Sequence, residues 1–474
     1  MKLNAGSFYT ILKKDFPHTP TSKQDELLRL ISHFIFDLDS NHILLLKGYA
    51  GTGKTTIVGT LVKNLWKAKM SSALLAPTGR AAKVIGNYSK KEAFTIHRKI
   101  YYPKKQKSGG IQFTLQQNKH RNCIFIVDEA SMISDRANES KLFENGSLLD
   151  DLMQFVYSGH NCKLILIGDN AQLPPVKLDL SPALDKDVLA HNYYKEVETL
   201  LLDEVVRQAA HSGILSNATS VRQALQQDSD YFSFDLSGYA DIIRLMDGQE
   251  IMDAISDAYT QVGHEETAII VRSNKRANQY NGQIRNRILF QEEEVSAGDF
   301  LMVVKNNYYW LDAKSEAGFI ANGDIVRILE IYAIKELYSF RFAEVKIQMV
   351  DYPSMKPFET VILLDVLTME TPSLPYEDNN KLYQEVAKDY VAEKANYKRF
   401  LKIKNNKYFN ALQVKFSYAM TCHKSQGGQW ERVFIEQPYL PEGINRDYLR
   451  WLYTAMTRAK SKLYLIGFKD DMFS

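Results

Sequence analysis

Eight consecutive residues carry the plainest chemistry in the chain: Gly48-Tyr49-Ala50-Gly51-Thr52-Gly53-Lys54-Thr55 meets G-x-x-x-x-G-K-[ST] at every fixed position. The glycines let the backbone turn, so that successive N–H groups from Gly48 through Ala50, Gly51, Thr52 and Gly53 to Thr56 face one concavity and attract an anion. The positive end of the helix that follows adds to that field. The Lys54 ammonium would reach the β- and γ-phosphates of a nucleotide, and the Thr55 hydroxyl would hold Mg²⁺. A second element, Ile124-Phe-Ile-Val127-Asp128-Glu129, closes an apolar run with two adjacent carboxylates. Asp128 is expected to bind Mg²⁺, usually through water, and Glu129 to orient and deprotonate an attacking water. A phosphotransferase would not need a carboxylate for water, so the pair favours ATP hydrolysis.

These residues sit where a parallel α/β sheet presents its ligands, at the carboxyl ends of strands. Ile43–Lys47, Ala73–Ala76, Cys123–Val127 and Lys163–Ile167 are short apolar runs, each followed by a polar or glycine-rich loop, and Thr55–Lys69 between the first two has helical spacing. A second set of strand-like runs follows at Ala268–Arg272, Val414–Met420, Arg432–Glu436 and Lys462–Gly467. It is interrupted by alternating β-type segments from Gly298 to Ala411 that end in a charged, tyrosine-bearing helical stretch, Tyr376–Leu401. At 474 residues the chain has room for about three domains. Its 45% hydrophobic and 24% charged content excludes a mainly disordered chain. No apolar run approaches the length of a membrane span and the N-terminus lacks a signal peptide's apolar core, so a cytoplasmic protein is expected. Cys123, Cys162 and Cys422 lack zinc or disulfide spacing. A net charge of +3 permits a nucleic-acid partner without arguing for one.

The remaining motifs resemble superfamily 1 DNA helicases, specifically the RecD-like and Dda-like group, in the family's order from about Gln24 to Lys460. The resemblance gives Gln24, in Thr21-Ser-Lys-Gln24, the adenine edge. It gives single-stranded DNA to Pro77, Thr78 and Arg80 in Ala76-Pro-Thr-Gly-Arg-Ala-Ala-Lys83, and to Thr95 and His97 in Phe94-Thr-Ile-His97. Hydroxyls, amides and a cation at strand ends suit phosphate contacts. In Gly168-Asp-Asn-Ala-Gln172-Leu-Pro-Pro-Val176 the resemblance makes Gln172 the γ-phosphate sensor that couples to DNA. Arg207, in Leu202-Asp-Glu-Val-Val-Arg207-Gln208, and Arg458, in Tyr453-Thr-Ala-Met-Thr-Arg458-Ala-Lys460, are implied as catalytic arginines stabilising transition-state charge. In Tyr418-Ala-Met-Thr421-Cys-His423-Lys-Ser425-Gln426-Gly427 it places Thr421, His423, Ser425 and Gln426 on DNA and Gly427 on the nucleotide. The glutamate that often follows that glycine to hold the ribose is replaced here by Gly428-Gln429-Trp430-Glu431. Asn274, Asn278, Asn281, Arg285 and Asn322-Gly323-Asp324 resemble further blocks of the family's second domain.

Between His97 and Asn122 the sequence RKIYYPKKQKSGGIQFTLQQNKHRN holds seven Lys/Arg and no acid. Its Tyr101, Tyr102 and Phe113, with Ser108-Gly109-Gly110 as a turn, suit a β hairpin that neutralises phosphates and stacks bases. Its position matches the family's strand-separating pin. The expected fold is α/β, with two RecA-like P-loop NTPase domains. Residues 1–195 form the first, with 98–122 a pin-type basic insertion. Residues 196–297 and 411–474 form the second, and 298–410 an SH3-like β insertion. The resulting expectation is an ATP- and Mg²⁺-dependent DNA helicase acting as a monomer on single-stranded and forked duplex DNA, 5′→3′ by resemblance. With about 20 residues ahead of Gln24, the stand-alone Dda-like form fits better than a subunit of a recombination nuclease. Two alternatives stand beside it: a single-strand-stimulated translocase that does not unwind, and a P-loop kinase acting on a small molecule.

Overall fold

The computed structural model describes residues 3–39, 41–105, 111–135, 147–206, 212–229, 231–312, 315–441 and 443–474. Six parallel strands build the first sheet, in the order Ala93–Thr95, Ser71–Ala76, Arg121–Val127, His160–Gly168, His42–Gly48 and Glu196–Leu202. Period-two alternation assigns each residue of a central strand to one face. Ile43 and Leu45 pack with Leu149, Leu152 and Leu189, whereas Leu44 and Leu46 pack with Leu27, Leu28, Ile57 and Leu61. Both faces are thus covered by helices, which is why these strands read as unbroken apolar runs.

The last of the six strands corrects the expected boundary at 195/196. Glu196–Leu202 pairs in parallel with His42–Gly48, so the first domain extends to Leu202. Its solvent-facing alternation is that of an edge strand, exposed on one side, and it therefore lacks the apolar signature of its neighbours.

Five parallel strands build the second sheet: Ala419–Thr421, Thr267–Val271, Trp430–Glu436, Ala459–Ile466 and Ile242–Leu245. Between its segments lies a closed barrel of Phe300–Val303, Ile325–Leu337, Phe340–Met349, Phe358–Leu363 and Leu412–Phe416. The helices Tyr376–Lys388 and Asn396–Lys404 add Leu382, Val386 and Ile403 to a core beside it. Here too the expected limits shift. The run Val414–Met420 is not one strand but two, the first closing the barrel and the second joining the sheet. The insertion therefore runs past 410 to Phe416.

Asn278, Asn281 and Arg285, from the block at 274–285, hold the barrel to the second sheet. Asn278 donates to the Thr368 and Met369 carbonyls, and Asn281 bridges Phe416 and Ala419. Arg285 forms a two-pronged pair with the fully buried Asp299 at 3.0 and 3.1 Å, and the Tyr418 hydroxyl donates to the same carboxylate. Removing one partner of a buried pair strands the other charge, at a cost of about 3–5 kcal/mol. Arg285→Ala is expected to lower the unfolding free energy by about that amount in denaturant titrations. A loss under about 1 kcal/mol would contradict this account of the joint.

From the first domain, the helix Ile96–Ile100 leads into an antiparallel hairpin, Tyr101–Lys105 with Ile111–Leu115. This is narrower than the expected 98–122, because Arg121 already opens a sheet strand. The turn expected at 108–110 lies outside the described residues, as does Lys107. Phe113 packs on Tyr308 from the barrel insertion, ring centroids 4.2 Å apart.

Candidate nucleotide cleft

The turn after His42–Gly48 places Gly51 and Gly53 at φ +74° and +84°, the left-handed region where a side chain is strained. Gly53 then caps the helix Lys54–Asn64. A Cβ there would also lie 2.5 Å from the Gln24 amide nitrogen. Gln24 is buried behind the loop. It donates to the Thr52 carbonyl and accepts from the Thr21 N–H, so it buttresses the loop backbone. The Lys54 ammonium donates to the carbonyls of Gly48 and Tyr49 at 2.6 and 2.8 Å. Thr55 and Thr56 follow in the first turn of the helix, half-buried.

Asp128 and Glu129 leave the end of Arg121–Val127, and the Glu129 N–H donates to the Asp128 carboxylate at 2.9 Å. Burial first, and then the charge of Glu129, pushes the Asp128 carboxyl above its ordinary range, while Lys54 opposes the shift. A buried carboxylate destabilised in this way suits a cation. In the loop after His160–Gly168, on the same domain, the Gln172 Oε1 is buried with no partner among the described residues. An orphaned carbonyl oxygen is an acceptor and suits a water molecule or a hydrated cation.

The second domain supplies the opposite wall through the helix Arg446–Met456 and the turn after it. Arg458 is almost fully buried. Its guanidinium donates to the carbonyls of Thr454 and Gly428 and to the Thr457 hydroxyl, and lies 3.9 Å from the Glu129 carboxylate. Sequence reasoning missed Tyr453 on the same helix. Its hydroxyl accepts from the Ala50 N–H of the phosphate loop at 2.9 Å and donates to Asp169 at 2.7 Å. Thr454 accepts from the Leu173 N–H. Arg222 stacks over Tyr49 at 4.1 Å, and Gln226 donates to the Tyr49 hydroxyl. Arg207 lies outside the described residues.

Several of the expected DNA- and nucleotide-contacting residues already have partners within the protein. Ser425 is fully buried and its hydroxyl donates to the Cys422 carbonyl. Gln426 donates to the Leu173 carbonyl of the first domain, which makes it a bridge between domains. Gly427 adjoins the first domain: at φ +75°, a Cβ would lie 2.8 Å from the Ala81 Cβ and 2.9 Å from the Thr78 hydroxyl. Glycine is needed there for close approach of the two domains. The buried Thr95 hydroxyl caps the helix Ile96–Ile100, accepting from the Arg98 N–H. Arg80 lays its guanidinium 4.0 Å over Trp430. His97, with its pKa drawn down to about 4 by burial, lies 5.8 Å from the Tyr101 ring. Pro77, Thr78 and Thr421 are half-buried and His423 is exposed.

The barrel reaches the same first-domain loop. Lys83 pairs with Asp351 at 3.5 Å, and Asp324 lies against Gly79, whose added Cβ would meet its carboxylate at 2.7 Å. Burial, followed by the charge of Asp351, pushes the Asp324 carboxyl up to about 8. A folded-state pKa above the ordinary 3.8 means the folded state binds this proton more tightly. The associated stability is full below the unfolded value and is lost as pH rises through about 8. Asp324→Asn is expected to flatten that stretch of the stability–pH curve. An unchanged profile in the variant would contradict the assignment.

Two parallel-sheet domains that close a P-loop and an acid pair against an arginine define a P-loop NTPase with a two-domain α/β core. The comparisons narrow that class. Residues 35–178 match the AAA domain family and residues 416–466 the UvrD-like helicase C-terminal domain. The ATP-dependent DNA helicase Dda of Enterobacteria phage T4 is 26% identical, covering 90% of this chain and 95% of that protein. The ATP-dependent RecD2 DNA helicase of Deinococcus radiodurans is 30% identical over 187 residues, 38% of this chain and 22% of that one. The Bacteroides Pif1 helicase solved with ADP-AlF3 and single-stranded DNA is 14% identical, with a TM-score of 0.47 over 96% of this chain and 94% of that one. The family-model matches and the likeness to Dda and RecD2 support a superfamily 1 helicase of the RecD-like and Dda-like group. Among the described residues no helix is long and apolar enough to cross a membrane.

Proposed function

We propose that this chain is an ATP-dependent DNA helicase that moves 5′→3′ along single-stranded DNA as a monomer and unwinds duplex DNA ahead of it. The observation that carries the reading is the meeting of Arg458 and Tyr453, on one domain, with Glu129 and the phosphate loop, on the other. A ligand held between them would close the cleft, and loss of its terminal phosphate would remove the attraction and reopen it.

In this reading Thr55 and Asp128 would hold Mg²⁺, which when bound would supply Lewis-acid neutralisation of the phosphate oxygens. Lys54 binds the β- and γ-phosphates, Glu129 takes a proton from the attacking water, and Gln172 senses the γ-phosphate. Arg458, together with Arg207, stabilises the charge that spreads in the transition state. Pro77, Thr78, Arg80, Thr95, His97, Thr421, His423, Ser425 and Gln426 are the candidate DNA contacts. The hairpin would act as the strand-separating pin and the barrel as the SH3-like module. Parting one base-pair step costs about 1.4 kcal/mol, a modest load for a nucleotide-driven motor.

The decisive experiment compares strand displacement from 5′- and 3′-tailed duplexes with and without ATP. Release from the 5′-tailed substrate alone is expected. ATP turnover stimulated by single strands without release would favour the non-unwinding translocase. Replacing Lys104, Lys105 and Lys107 together with alanine is expected to weaken DNA binding and make its salt dependence shallower. An unchanged salt slope would show that this arm does not meet phosphate.

A further inference from the structure

At the root of the hairpin, on the flank of the first domain, lies a groove of about 330 Å³. Phe94 comes to it from the edge strand Ala93–Thr95, and Arg98 and Lys99 from the helix Ile96–Ile100. Lys119 and His120 come from the segment returning to the sheet, and Phe155 from the helix Leu148–Tyr157. None of the lining residues is a carboxylate. Some cations elsewhere on the molecule are paired: Lys83 with Asp351, Lys460 with Glu266, Arg276 with Glu436. Among the described residues no ion pair engages Arg98, Lys99 or Lys119.

The groove is also prepared in its geometry. The charges of Arg98 and Lys99 each sit 5.1 Å from the centroid of the Phe94 ring, which holds them in place. Burial draws the Lys99 pKa down, so part of its hydration is already gone and only distant opposite charge compensates it. Converging cations without counter-ions over an aromatic floor suit a chain of phosphates, and single strands bind through this pairing of charge and rings.

The groove adjoins the hairpin that the reading above makes the pin. The hairpin leaves at Tyr101 and returns at Gln116, whose N–H donates to the Ile100 carbonyl at 2.8 Å, so the groove opens beside its base. Phe113 is committed to the barrel through Tyr308. We propose that this groove holds the sugar-phosphate backbone of the strand displaced at a fork, the one that does not pass over the motor loops. The inference rests on the helicase reading above and adds a second nucleic-acid site to it.

The test uses the full chain and two labelled duplexes that share a 5′ tail, one of them carrying in addition a non-complementary 3′ arm on the other strand. In the wild type the added arm is expected to tighten binding by at least about threefold at low salt. In Lys99→Gln/Lys119→Gln that gain should vanish, with a salt-dependence slope on the armed fork shallower by about 1.4, two cations at about 0.7 each. Lys119 is exposed, so Lys119→Glu serves as a second variant that leaves packing alone, and it should also abolish the gain. An arm effect absent from the wild type, or surviving in both variants, overturns the proposal. Survival of the effect together with loss of poly-glutamate peptide binding would assign the groove to an acidic protein segment and overturn it as well. A wild type whose ATP turnover ignores single-stranded DNA would sink the helicase reading itself, a result separable from all of these.

Discussion

Arg458→Ala is expected to lower DNA-stimulated ATP turnover by about 10³-fold or more while nucleotide binding persists. The side chain is nearly inaccessible, and three hydrogen-bond acceptors fix its guanidinium in the wall facing Glu129. A cation held so firmly pays little to reorganise when charge moves onto the γ-phosphate oxygens, so its contribution appears chiefly in the transition state. The ground-state complex keeps the phosphate loop and Lys54. Hence kcat falls while the affinity for a fluorescent nucleotide changes little. Arg458→Lys keeps a charge but loses the planar fork, and should recover only part of the rate. Turnover at the wild-type level in the alanine variant would remove this residue from the mechanism.

Lys54→Ala should have an effect of comparable size but a different signature: hydrolysis lost by about 10³-fold or more, and nucleotide binding weakened with it. The ammonium lies against the carbonyls of Gly48 and Tyr49, inside the curve of the loop. It is therefore positioned for both ground-state and transition-state phosphate, and its removal strips charge from both. A binding titration alongside steady-state turnover separates the two variants. Lys54→Ala that hydrolyses normally would contradict the assignment of the loop, and with it the two-domain cleft.

The phosphate loop and the acid pair were legible because their chemistry needs fixed residue types at fixed spacing, and spacing survives in a bare sequence. The central strands were legible for a related reason. Burial on both faces forces apolar residues at every position, as in Leu44–Leu46. Glu196–Leu202 escaped because an edge strand is covered less completely, and Leu412–Phe416 because two strands of different sheets follow each other with only Ser417 and Tyr418 between them. Tyr453 lies inside a motif that was read, yet an aromatic on an amphipathic helix looks like core. Its partner Ala50 is some four hundred positions away, and no local pattern encodes that meeting. Ser425, Gln426 and Gly427 show the converse limit. A polar or small residue in a loop suggests a surface, whereas these serve a packed seam between domains.

The two-residue step between Phe416 and Ala419, reinforced by Asn281 and by Arg285 with Asp299, ties the barrel closely to the second lobe. The barrel is therefore expected to move with that lobe. A small rotation about the nucleotide is therefore delivered, lengthened by that lever, to the aromatic touching point between Tyr308 and Phe113.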